Sequence, residues 1–60
     1  MESDLVYYRR RAAEEAAAAE SAGHARVRQV HLELARRYAE RVEELESEPA
    51  RAALRLVTAA

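Results

Sequence analysis

Residues 25–46, ARVRQVHLELARRYAERVEELE, decide the fold. At about 100° per residue on a helical wheel, Val27, Val30, His31, Leu34, Tyr38, Val42 and Leu45 form one bulky stripe. Ala35, Ala39 and Leu32 extend it round one side, so nearly half of this helix calls for cover. The residues outside the stripe are mostly Arg and Glu, which suit a solvated face.

The segment before it, residues 5–22, is helical by the same criteria but has smaller side chains. Leu5, Tyr8, Ala12, Ala16 and Ala19 recur at spacings of three and four. Ser3 or Asp4 can cap its start, and Gly23, the chain's single glycine, is placed to end it near the left-handed region. The helices are therefore expected at about 4–22 and 25–46. Pro49, the single proline, suits the first turn of a third, short helix capped by Ser47 and reaching about Val57. The expected organisation is a hairpin over residues 1–47, followed by a short C-terminal helix or arm over 48–60. Ala, Arg, Glu and Leu dominate throughout, and the β-branched residues are too few and too scattered for strands.

A turn at Gly23 pairs positions whose numbers total about 47. Tyr8 then meets Tyr38 and Ala39, Ala12 meets Leu34 and Ala35, and Ala16 meets His31. Small residues opposite large ones allow close approach of the two helices. This pairing covers the narrow face of the first helix and leaves part of the second without a partner. The chain of 60 residues has 50% hydrophobic residues, but fifteen of those thirty are Ala, and there is no Cys, Ile, Phe or Trp. So short a chain usually needs a staple or a partner, and no disulfide or Cys-based zinc site is available. A third segment carrying Leu54, Leu56 and Val57 is too short to cover the second helix. The reading is an all-α antiparallel hairpin that dimerises into a four-helix bundle through Leu32, Leu34, Tyr38, Ala39, Val42 and Leu45.

Ten Arg and no Lys stand against eleven acidic residues, and the formal net charge is −1. No overall field points to nucleic acid or membrane. The hairpin register nevertheless brings Arg9, Arg10 and Arg11 level with Arg36 and Arg37, while Glu2 and Asp4 at the open end meet Glu43, Glu44, Glu46 and Glu48. The plain reading is of solvated faces with local pairs such as Glu33 with Arg37 and Arg36 with Glu40. The alternative is a belt for nucleic-acid phosphates, with Tyr7 and Tyr8 stacking on bases. Against that alternative stand Glu14, Glu15 and Glu20 on the same helix, and the spread of three consecutive residues over about 200° of its surface. Tyr7 faces away from the Ala stripe. It suits either a partner contact shared with Arg9, Arg10 and Arg11, or a ring lying over the stem of Arg10 or Arg11.

His24 and His31 are seven residues apart, but neither has a Glu three residues before it. His31 reads as an interface histidine opposite Ala16, and His24 as a solvated turn residue; no metal or cofactor is expected. The chain has no Lys, no Cys and no Gly-rich loop, and Ser3, Ser21 and Ser47 sit at caps or turns. The carboxylates all map to solvated faces with nothing to raise their pKa, so neither catalysis nor a small-molecule substrate is expected. The Met1-Glu2-Ser3-Asp4 start lacks a basic signal-peptide region, and no apolar run reaches a membrane-spanning length. A cytoplasmic protein is the expectation.

The strings Tyr7-Tyr8-Arg9-Arg10-Arg11-Ala12-Ala13-Glu14-Glu15-Ala16 and His31-Leu32-Glu33-Leu34-Ala35-Arg36-Arg37-Tyr38 resemble a group of short, uncharacterised alphaproteobacterial helical-hairpin proteins. The resemblance covers about Tyr7 to Val42. It implies a small bacterial helical hairpin with no assigned activity, and it carries over no functional residue. Function is then expected to lie in protein–protein interaction, as a small adaptor or regulator.

Overall fold

The structure, a computed structural model, describes the backbone of residues 2–59 and the side chains of residues 2–49, 53 and 54. Two helices, α1 (Asp4–Ser21) and α2 (Ala25–Ala59), pack against each other as a hairpin. Ser3 is the cap of α1: its Oγ accepts from the Val6 N–H at 3.2 Å, and its carbonyl accepts the Tyr7 N–H at 3.0 Å. Asp4 in the first turn adds a carboxylate where the helix dipole favours one.

The stop is made differently from the expectation at Gly23. Ala22 leaves the helix with φ −68° and ψ 128°, and its N–H still reaches the Ala19 carbonyl at 3.3 Å. Gly23 does not adopt a positive φ, so the turn makes no use of glycine's left-handed freedom. His24 then caps α2. Its Nδ1 accepts from the Arg26 N–H at 3.1 Å, and its carbonyl accepts the first helical bond from the Arg28 N–H at 3.0 Å. The residue expected to be solvated thus satisfies one of the free donors of the helix start.

The separate C-terminal helix is replaced by a continuation. α2 runs for 35 residues straight through Pro49. Ser47 does not act as a cap, because its hydroxyl donates back to the Glu44 carbonyl at 3.0 Å and so stays within the helix. A proline here removes one bond to the carbonyl four residues earlier and crowds it, at a typical cost of about 3 kcal/mol. The residues that follow, including Ala50, Ala52, Ala53 and Leu54, are strong helix formers and carry the helix onward. The side chains of Arg51, Arg55, Leu56 and Val57 lie outside the described residues.

The consequence is an elongated molecule measuring 55 × 25 × 10 Å between backbone positions. At ~1.5 Å per residue α1 spans about half the length of α2, so the end of α2 projects beyond its partner. Leu54 on this projection is 65% exposed.

One layer of two helices has little interior. Among the described residues Ala19 is the single buried apolar side chain, at 2% exposure, and Glu15 is buried at 7%. No large side chain is fully buried. The covered face of α1 follows spacings of three and four through Leu5, Tyr8, Ala12, Glu15, Ala19 and Ala22. Ala16, expected in this stripe, is exposed. Glu15, not Ala16, takes the place facing α2.

Candidate functional site

The contacts between the helices are polar and aromatic at their centre. Tyr8 lies against Tyr38 with ring centroids 5.9 Å apart, as the expected register requires. Guanidinium groups close over both rings: Arg41 sits 5.8 Å from the Tyr8 centroid and Arg11 5.3 Å from that of Tyr38. Each arginine belongs to the helix opposite the ring it covers, so both cation–π contacts tie the hairpin together. Tyr38, with the charges of Glu14 and Glu15 behind it, raises the Arg11 guanidinium above its ordinary value, and Glu44, ahead of Tyr8, does the same for Arg41.

Two turns nearer the loop, Glu15 Oε1 lies 2.6 Å from His31 Nδ1, and Glu15 Oε2 accepts from Arg11 at 2.8 Å. An ionised carboxylate only accepts, so Nδ1 carries the hydrogen. The hydrogen bond from His31 is the main reason the Glu15 carboxyl is held below its ordinary range. Burial opposes this, and the charges of His31 and Arg11 reinforce it. Glu15 is therefore a correction to the expectation that every carboxylate maps to a solvated face. A charged residue within an Ala-rich stripe was missed because its partner comes from the other helix.

The arginine belt is engaged by the protein's own carboxylates. Arg9 meets Glu46 at 2.8 Å, Arg10 meets Glu2 at 2.7 Å, and Arg36 meets Glu40 at 3.8 Å. Arg10 and Arg11 also approach Glu14, at 3.5 and 3.7 Å. Glu33 and Arg37, expected as a local pair, form no ion pair among the described residues. Tyr7 meets Tyr8 edge-on at 5.2 Å and lies under the Arg10 guanidinium at 5.6 Å, while remaining 39% exposed.

The six residues expected to carry association divide between two surfaces. Leu34, Tyr38, Val42 and Leu45 are half-buried on the side of α2 that faces α1, whereas Leu32, at 53% exposure, and Ala39 point away from it. Val6, Val27 and Val30 are also 43–50% exposed.

Two open depressions mark the outer surface. The larger, about 400 Å³, is lined by Glu40, Glu43, Glu44 and Ser47. The smaller, about 280 Å³, is lined by Gln29, Leu32, Glu33 and Arg36. Neither places a base beside a nucleophile in a closed space. Among the described residues no group of three His, Asp or Glu side chains is arranged to hold a metal ion, and no helix is long and apolar enough to cross a membrane. Comparison of the chain with family models, with curated proteins and with solved structures finds no match.

Proposed function

We propose that this chain is a non-enzymatic protein–protein interaction module that acts as a homodimer, two hairpins making a four-helix bundle. The observation that carries this reading is the missing interior: Ala19 is the one buried apolar side chain among the described residues, while Leu32 stands 53% exposed. Two amphipathic helices in a single layer bury too little apolar surface to offset the entropy of ordering them. A second layer supplies the missing burial. A small adaptor or regulator needs no more than such an assembly and an outer surface for another protein.

The belt of Arg9, Arg10, Arg11, Arg36 and Arg37 is the basis of the nucleic-acid alternative. The carboxylates against four of these five arginines favour the interaction module, since phosphate would have to displace them. Sedimentation equilibrium of the full chain tests the proposal. The expected result is a dimer at micromolar concentration whose thermal midpoint rises with protein concentration. A monomer that melts cooperatively at a concentration-independent temperature sinks it.

A further inference from the structure

The outward side of α2 carries a pattern that reads the same from either end with its charge reversed. Arg28, Leu32, Ala35, Ala39 and Glu43 lie within about 80° on the α2 wheel, roughly 100° round from the side that faces α1. The pattern is a cation, three apolar residues and an anion. Leu32 and Ala39 are exposed, and neither Arg28 nor Glu43 makes an ion pair among the described residues. Most other arginines and glutamates of the hairpin core already have partners, as Arg9, Arg10, Arg11, Arg36 and Arg41 show.

We propose that a second copy of this chain docks antiparallel on this flank, about a twofold axis level with Ala35 and Arg36. The proposal deepens the homodimer reading and rests on it. Around that axis Leu32 meets Ala39 of the second copy and Arg28 meets its Glu43, each contact occurring twice. A parallel dimer would set Arg28 against Arg28 and Glu43 against Glu43, so like charges select against it.

The same axis organises α1. The numbers in the Tyr8–Tyr38 and Glu15–His31 pairs both total 46, so the axis falls at about residue 10 or 11 of α1. Leu5 then lies level with Ala16 of the second copy. Both are on the flank bridged by Arg9 and Glu46, since the wheel places Leu5, Arg9 and Ala16 together on α1 and Leu32, Ala39 and Glu46 together on α2. Large again meets small, and the exposure of Ala16 acquires a use. Two hairpins joined in this way form a square antiparallel bundle.

Charge reversal tests the proposal on the full chain. Arg28→Glu and Glu43→Arg are each expected to weaken self-association about three- to tenfold at low salt, as two exposed pairs turn from attraction to repulsion. An equimolar mixture of the two variants is expected to form heterodimers in preference to either homodimer, because every crossing again pairs opposite charges. Leu32→Asp should abolish association, whereas Val30→Asp on the opposite flank should leave it within about twofold. Circular dichroism of each variant confirms that the helices persist. If the wild-type chain dimerises but the mixture shows no preference, or if Val30→Asp breaks the dimer while both reversals are neutral, the antiparallel flank is wrong and the homodimer stands. A wild-type monomer overturns both.

Discussion

Glu15 of α1 and His31 of α2 meet across the hairpin at 2.6 Å, the one buried charged group among the described residues reaching a titratable partner on the other helix. This contact, with Arg11 on the second carboxylate oxygen, sets the axial position of one helix on the other more narrowly than a row of alanines can.

The folded Glu15 carboxyl is held below its ordinary range, chiefly by His31, so folding favours the ionised form. Its contribution is complete above the unfolded carboxylate value and is lost as pH falls through the folded one. Urea melts at descending pH, from neutral to about pH 3, should show wild type losing more stability than Glu15→Gln. Parallel curves for the two proteins would mean that this contact adds nothing.

Gly23 offers a stabilising substitution. Its φ is not positive, and a Cβ built there meets nothing within 4 Å. Gly23→Ala should raise stability by about 0.4–1 kcal/mol by restricting the unfolded chain. A lower melting temperature would show that the turn does need glycine.

His24 performs the N-cap task with a ring nitrogen, a role for which Asp is better suited. His24→Asp should add about 0.5–1 kcal/mol through a stronger cap and a favourable charge at the helix start. His24→Ala should move the melt in the opposite direction, and equal melts for the two variants would argue against the cap.

A double-mutant cycle on Tyr8→Ala and Tyr38→Ala measures the aromatic pair. A coupling of about 0.5–1.5 kcal/mol is expected beyond the loss of buried area. Simple additivity would show that the rings are neighbours without interaction.

Pro49 interrupts the hydrogen bonding of a helix that continues on both sides of it. Pro49→Ala should increase helical ellipticity and relieve up to about 3 kcal/mol of local cost. Unchanged ellipticity would indicate that the segment beyond is not held as helix in solution.

The amino-acid sequence by itself determined the helical hairpin, the limits of α1, the start of α2 and the pairing of Tyr8 with Tyr38. Those follow from helix propensity, the position of Gly23 in the turn, and apolar spacing, all of which act over a few residues. Only the tertiary structure decided that Glu15, and not Ala16, faces His31. A one-position difference on a helix is a rotation of about 100°, and which side is covered depends on where the neighbouring helix lies. The burial of a carboxylate likewise depends on a cation and an imidazole, and one of these is sixteen residues away in sequence. Pro49 shows the complementary limit: its local preference for a helix start was outweighed by strong helix formers on both sides and by Ser47 bonding back into the turn it belongs to.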